Sequence, residues 1–467
     1  MSRIQPLIDI IDNDEEVRNA SYQGWLIWPV IRFQVYQHII NVENGLTSAR
    51  KGLKFPSNQI LKGFFPALVM FPRLRKVNTL FFSTTLSLIK VGNAGYFNRV
   101  SDYFIPLLSG NCAVIEESID YKHPMPRLGK AAVFSKTIAT LITQIIVELQ
   151  LVFKTKDAIG AYIEVDKLLA CVSELLREQN RTIAADSLYT LRKALVKRLI
   201  SIKPTAFFYT KLLRNSSVRV IVMEDGHYGA EKSIINFCAH KLGIKVYEPQ
   251  HGFLNQNHPA YYFGSLFTKD EAVKRYYPDT LFTYGPYWSS VARIPNQKIE
   301  IGNPHFEQTI ERNKYTKEKC ILVIGSGVTV SETNLVLKKL LQLAEGYNIL
   351  YRPHPQEKNT HSDRYKEVYN DGVLQDTAPL YESLAKAEIV IAEVSTVLFE
   401  AIAFCNFVYL LNTNYTKSCY DENLKYFKLI EIDELEVVLD KCGLDREAAM
   451  QYYWTFDWKR KFLQYLN

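Results

Sequence analysis

The chain has 467 residues, room for two domains and at most three, and 47% of them are hydrophobic against 22% charged. That balance excludes a disordered chain, a collagen-like fibre and a small disulfide scaffold. The net charge of +7 is too weak to imply duplex nucleic-acid binding, and suits an anionic substrate or a light hold on an acidic membrane surface. The seven cysteines are scattered with no CxxC pair, so they read as reduced core residues, and no metal site is expected.

Met1 to Glu16 carries acidic residues where an export signal needs a basic and then an apolar stretch, so a cytoplasmic location is expected. Trp25, Trp28, Pro29 and Arg32 follow within eight residues. The tryptophans at helical spacing read as core, and Arg32 is a candidate for substrate binding. Two apolar runs, Gly63–Phe71 and Ile138–Phe153, fall short of the roughly 20 residues that span a bilayer. Asn78–Ser83 and Asn111–Ile115 read as buried strands. Helical spacing then runs from about residue 136 to 202, ending in the basic amphipathic segment Leu188–Ser201. Such a helix is either a solvated face or a surface that lies on a membrane, the latter allowing weak association with the inner face of a membrane.

Beyond residue 215 strands, turns and helices alternate as in a parallel sheet with crossover helices. Val218–Met223 ends in Glu224-Asp225-Gly226, and Ile244–Glu248 ends in Pro249-Gln250-His251-Gly252. Leu281–Tyr284 is a further short strand. A second α/β unit begins after Ile301-Gly302-Asn303-Pro304. Its strands are Lys319–Ile324, Asn348–Tyr351, Glu388–Ala392 and Phe407–Leu411, and the chain ends in a helical, aromatic-rich stretch, Asp445–Leu466. The expected organisation is residues 1–305 as one Rossmann-like domain with a helical insertion and 306–445 as a second. Residues 446–467 would form a terminal helix packing back on the first. Ligands of such sheets bind beyond the carboxyl ends of the strands, so chemistry is sought there.

In the second unit three strand ends are rich in donors. Arg352-Pro353-His354-Pro355 offers a guanidinium and an imidazole on a stiff backbone. Ser395-Thr396 open a helix, where hydroxyls and free amides favour a phosphate, although the same residues serve as plain N-caps. Gly325-Ser326-Gly327 forms a turn whose amides can approach an anion, without the spacing of a dinucleotide fingerprint or a P-loop. In the first unit, one carboxylate of Glu224-Asp225 can act as base or nucleophile while the other orients it. His251, on the next strand end, falls within hydrogen-bond reach of that pair. Gln250 and the loop containing His258, Pro259 and Tyr261 are candidates to hold an acceptor.

With these motifs in order, the sequence resembles bacterial glycosyltransferases of the two-Rossmann-domain GT-B type that use CMP-activated acidic sugars. The likeness is to the sialyltransferase and Kdo-transferase clan of capsule and lipopolysaccharide synthesis, across roughly residues 215 to 412. It rests on Glu224-Asp225-Gly226, His354-Pro355 and Ser395-Thr396. The resemblance implies Asp225 as catalytic carboxylate, and His354, Ser395 and Thr396 as binders of the CMP. The donor would be a CMP-sugar, no metal or other cofactor is expected, and the acceptor would be an oligosaccharide or a lipid-linked glycan. Gln250-His251-Gly252 is also reminiscent of CDP-glycerol polyol-phosphate transferases. A non-catalytic polysaccharide- or nucleotide-binding component of an export machine and a UDP-sugar epimerase remain as further alternatives.

Overall fold

The computed structural model describes residues 3–43, 70–108, 111–118, 123, 127–129, 131–312, 315–354, 357, 360–420 and 423–466. Pro355 and residues 63–69 of the first apolar run lie outside them.

Two parallel sheets organise the chain. The first contains β1 (Thr79–Thr84), β2 (Cys112–Glu117), β3 (Ala132–Ser135), β4 (Val220–Met223), β5 (Lys245–Pro249), β6 (Thr280–Thr283) and β7 (Gln297–Glu300). Their spatial order is 3-2-1-4-5-6-7. The second contains β8 (Glu318–Ile324), β9 (Asn348–Arg352), β10 (Leu374–Gln375), β11 (Ala387–Ala392), β12 (Phe407–Leu411) and β13 (Lys428–Ile430), in the order 10-9-8-11-12-13. Both therefore start at a central strand, build outward, return and build the other way. Each sheet has a topological switch point, between β1 and β4 in the first and between β8 and β11 in the second, and a crevice opens there beyond the strand ends.

The apolar runs read from the sequence become the central strands, each covered on both faces: every residue of β1 and β6 is buried. The sequence pattern misses β3, β7, β10 and β13. All four are edge strands of two to four residues with partly exposed side chains, such as Gln297–Glu300, and are too short to stand out as apolar runs.

Between β3 and β4 the chain forms three helices, Thr137–Val152, Lys156–Glu178 and Ala185–Arg214. The last was expected to stop near residue 202, but continues through Pro204 for ten further residues. A proline inside a helix removes one hydrogen bond and crowds the preceding turn. Here Leu199, Ile200, Ile202, Tyr209, Leu212 and Leu213 are buried on either side of it, and that packing carries the helix across.

The two sheets are joined through the end of the chain. The helix Arg446–Tyr453 leads to an irregular crossing at residues 454–457, and the helix Trp458–Leu466 then packs on the first sheet, where Trp458 and Phe462 join Phe81, Val222 and Phe282. At the crossing Thr455 N donates to Tyr284 O at 2.7 Å. The fit is close enough to require glycine at two strand ends. A Cβ on Gly285 would lie 2.6 Å from Tyr453 O, and one on Gly302, whose φ is +96°, would lie 2.2 Å from Thr455 O.

Gly302→Ala should therefore destabilise the protein by more than about 3 kcal/mol, combining a left-handed backbone with a backbone clash. Gly243→Ala, at φ +71° with open space around it, should cost only about 1 kcal/mol. Thermal and urea melts of the two variants compare them directly, and equal losses would remove the crossing as a structural anchor.

Candidate functional site

β4 and β5 pair in parallel, with Val222 opposite Tyr247, so the segments that follow them emerge side by side. Asp225 takes a left-handed backbone (φ +57°) immediately beyond β4, a conformation that acidic residues tolerate better than most. Its Oδ1 lies 3.2 Å from His251 Nε2, and its Oδ2 accepts from Lys232 Nζ at 3.1 Å. Burial pushes the Asp225 carboxyl up, but Lys232 and His251 outweigh it and hold the group below the ordinary carboxylate range. The other side of the His251 ring is also engaged. Nδ1 lies 3.3 Å from the Tyr261 hydroxyl, which donates to the buried Glu248 at 2.7 Å; Glu248 in turn pairs with His227. Tyr228 approaches both His251 Nε2 and His258 Nε2. Asp225, His251, Tyr261 and Glu248 thus form one continuous hydrogen-bonded row, with only the Asp225–His251 end partly exposed.

Glu224 has a different environment although it is the next residue. It is buried at the first switch point, where Ser87 Oγ and Asn98 Nδ2 each donate to it at 2.7 Å. Burial, with the neighbouring Asp225 charge, raises its pKa to about 7 despite those bonds. It holds the β1 turn and the hairpin Leu88–Val91/Gly95–Asn98 against β4. Of the adjacent carboxylates expected to share the catalytic work, Glu224 is turned into the sheet end toward Ser87 and Asn98, and Asp225 toward Lys232 and His251.

In the second sheet, Glu393 follows β11 and accepts from Ser326, Thr329 and Thr413. The Gly325-Ser326-Gly327 turn is thereby tied to the switch point. The Val328 and Thr329 amides also point at Ser326 Oγ, at 3.2 and 3.4 Å, so the Ser326 hydroxyl is spent on the turn. Gly325 N donates to Arg352 O at 2.9 Å, and Gly327 (φ +75°) lies against His354, whose Cβ would be 3.3 Å from an added Cβ. Ser395 caps the helix Thr396–Ala401 by accepting from Val397 N at 3.2 Å.

A cleft of about 260 Å³ separates the two sheets, and Arg99, His251, His305, His354, Ser395, Thr396 and Glu400 line it together with Tyr284 and Tyr381. The structure thus brings His251 from the first domain to His354, Ser395 and Thr396 from the second, with Asp225 behind His251. Arg99 and His305, on the hairpin exit and the interdomain link, carry no recognisable motif and become visible only once the chain is folded. Desolvation, helped by Arg99, lowers His305 to a pKa of about 4, so that it is neutral. Glu400 is pushed upward by burial, against a bond from Tyr381 and the charge of Arg99, and its Oε2 has no partner among the described residues. Arg99 brings a positive charge to this cleft and faces Glu400 across it.

Four expected binders are placed elsewhere. Arg32 is 1% exposed, salt-bridged to Asp12 and donating to the carbonyls of Pro259 and Tyr262; it fastens the amino-terminal helices to the 259–264 loop and does not reach the cleft. Arg352 is bound by Asp376 and by Ala378 O at 3.0 Å. Gln250 bridges Tyr284 N and Gly252 O, at 2.9 and 2.8 Å, and shapes the turn that carries His251. His258 is occupied at both nitrogens, by Tyr228 and by Ala260 N, and burial lowers its pKa to about 4. Among the described residues no group of three His, Cys, Asp or Glu side chains is arranged to hold a metal ion.

No protein-family model matches the chain, and no curated protein matches it. Solved structures that match include UDP-GlcNAc 2-epimerase from Neisseria meningitidis bound to UDP-GlcNAc, with 10% identity over 84% of this chain and 99% of that one and a TM-score of 0.42. The wall teichoic acid polymerase TagF matches with 11% identity over 93% and 95% of the two chains and a TM-score of 0.42. MurG of Acinetobacter baumannii matches with 12% identity over 80% and 94% and a TM-score of 0.36. The strand orders, rather than these distant likenesses, establish the architecture. It is the GT-B arrangement of two facing Rossmann-type domains.

The contrast within the Glu224-Asp225 pair is testable by pH. A carboxyl raised to about 7 in the folded chain, against about 4.5 when unfolded, holds its proton more tightly when folded. Its contribution to stability is complete below the unfolded pKa and disappears as pH rises to about 7. Glu224→Gln should remove that decline, so that stability measured from pH 5 to 8 falls less steeply than in the wild type. Parallel curves would contradict the assignment.

Proposed function

We propose that this protein is a glycosyltransferase that moves an acidic ulosonate sugar from a CMP-sugar to a hydroxyl of a glycan acceptor. The observation that carries the reading is the cleft itself. It lies at the switch points of two Rossmann-type sheets, is lined by Arg99, His354 and the Ser395-Thr396 hydroxyls, and is bordered by the Asp225–His251 pair. The guanidinium of Arg99 and the donors of His354, Ser395 and Thr396 favour an anionic donor. His354, Ser395 and Thr396 are placed to bind the phosphate of a CMP leaving group, as the order of the sequence motifs suggests.

In this mechanism the acceptor oxygen attacks the anomeric carbon, and the bond from that carbon to the CMP phosphate oxygen breaks. CMP departs with the bonding electrons. The acceptor proton passes to the Asp225–His251 pair, with Lys232 and Tyr261 fixing the geometry of its two members. Arg99 offsets the negative charge that grows on the leaving phosphate, and His354, whose pKa burial lowers, donates a hydrogen bond to it.

A second reading, transfer of a polyol phosphate from a CDP-activated donor, is favoured by one feature: His251 of the Gln250-His251-Gly252 turn lines the cleft, with Asp225 behind it. A histidine base suits an acceptor hydroxyl that attacks phosphorus equally well.

The two readings separate by nucleotide. CMP should raise the melting temperature more than CDP, UDP or GDP at equal concentration, and the shift should survive EDTA. A preference for CDP would select the polyol-phosphate reading, and a preference for UDP would overturn both. With donor and acceptor in hand, His251→Ala and Asp225→Ala should lower turnover by about 10²–10⁴-fold while leaving CMP affinity within a few-fold. His354→Ala should weaken CMP binding and turnover together. Loss of CMP binding in Asp225→Ala would mark that residue as structural.

A further inference from the structure

Two features of the sequence remain outside the cleft: the apolar run Ile138–Phe153 and the basic segment Leu188–Ser201. The fold brings them together. The helix Thr137–Val152 crosses the helix Ala185–Arg214, and a groove of about 690 Å³ lies between them. Its walls are largely aliphatic, from Leu141, Ile145, Val147 and Leu149 on one side and Ala194 on the other. Polar side chains from both helices, among them Thr140, Gln144, Ser201 and Thr205, are interspersed with these, and Arg198 and Glu231 line the groove as well. Glu231 is already satisfied, by Lys136 and by the Tyr209 hydroxyl at 2.8 Å. The Arg198 guanidinium feels the charges of Glu231 and Glu117, but its Nε is buried with no hydrogen-bond partner among the described residues. A buried donor of this kind needs an acceptor, and a guanidinium suits a phosphate.

The outer rim is equally unusual. The helix Thr137–Val152 buries Ala139 and Val147, yet Ile145 is 58% exposed, Leu149 50%, Val152 72% and Phe153 73%. This stripe ends at an elbow, where the next helix, Lys156–Glu178, turns away at 88° and adds exposed Ile159 and Ile163. Lys154 and Lys156 are exposed at the elbow, while Glu148 and Asp157 are neutralised by Lys197 and Lys203. No single helix among the described residues is long and apolar enough to cross a membrane, so the stripe suits contact with a bilayer surface.

We propose that this groove holds the phosphate headgroup of a lipid from an anionic bilayer leaflet, with Arg198 binding the phosphate and the tail leaving along Ile145 and Leu149 into the bilayer. The occupant must bring both hydrocarbon and an oxyanion, because a free anion leaves the aliphatic surface of Leu141, Ile145, Val147 and Leu149 uncovered and a plain alkane leaves the Arg198 Nε without an acceptor. The inference is independent of the reaction catalysed, and its test requires no turnover.

Binding of the full chain is measured on phosphatidylcholine vesicles with and without phosphatidylglycerol, and to dispersed dodecyl phosphate by thermal shift. The wild type should sediment with the phosphatidylglycerol vesicles, and dodecyl phosphate should raise its melting temperature where inorganic phosphate and dodecyl maltoside do not. Arg198→Met should weaken dodecyl phosphate binding at least tenfold. Ile145→Asp/Leu149→Asp, at exposed positions, should abolish vesicle binding without changing the melting temperature of the free protein. Equal shifts with dodecyl maltoside and dodecyl phosphate in the wild type would overturn the headgroup site even if Arg198→Met failed to fold. Vesicle binding kept in Arg198→Met but lost in the aspartate variant would mean adsorption by the stripe alone, and also overturns it. Failure of the wild type to bind overturns it as well.

Discussion

The arrangement of the whole molecule depends on an aromatic joint around Trp454. Its ring packs on Tyr284 and Phe306, with centroids at 5.5 and 4.1 Å, while its indole N–H donates to Phe399 O in the second domain at 3.2 Å. Trp288 of the first domain donates to Tyr453 O at 2.8 Å, and its ring meets Phe399 at 4.7 Å. Phe253, two residues beyond His251, joins the same cluster through Tyr420. Large rings that are buried and interlocked in this way contribute area and geometry together. Because the joint includes the turns after β5 and β6 and the helix after β11, it fixes how the carboxyl edges of the two sheets meet. The cleft is consequently part of the packed interior's boundary, and His251 and Thr396 are presented to it by elements that cannot easily shift separately.

Within this frame each functional group derives its character from its neighbours. Adjacent carboxylates diverge because Glu224 turns into the sheet end, where burial dominates, and Asp225 turns toward Lys232 and His251, where charge dominates. Three of the four histidines in or near the cleft also differ. His258 and His305 are desolvated and neutral, whereas His251 rests against a carboxylate. That asymmetry supports a base at one end of the cleft and a cationic, hydroxyl-rich anion site at the other.

Much of this was legible in the sequence. Continuous apolar runs gave the central strands, because a strand covered on both faces needs them, and the polar residues right after those runs gave Asp225, His251, His354, Ser395 and Thr396. What the sequence could not supply was which polar residue spends its bonds on the fold. Arg352 and Asp376 lie 24 residues apart and meet only because β9 and β10 are neighbours. Arg32 and Asp12 meet through helix packing, and Gln250 turns back on its own strand end. Arg99 and His305 were invisible for the converse reason. They belong to a hairpin exit and an interdomain link with no motif, and acquire a role only when the joint at Trp454 brings them to the cleft.

The central claim is that one anionic nucleotide donor lies across both switch points. Amide hydrogen exchange with and without saturating CMP, followed through peptides covering the whole chain, tests it most directly. The account predicts added protection in two separated stretches: Glu393–Val397 at the end of β11, and the segments carrying Arg99 and His251 on the first domain. Protection confined to one domain, or located away from the cleft, would contradict a donor site shared between the two sheets.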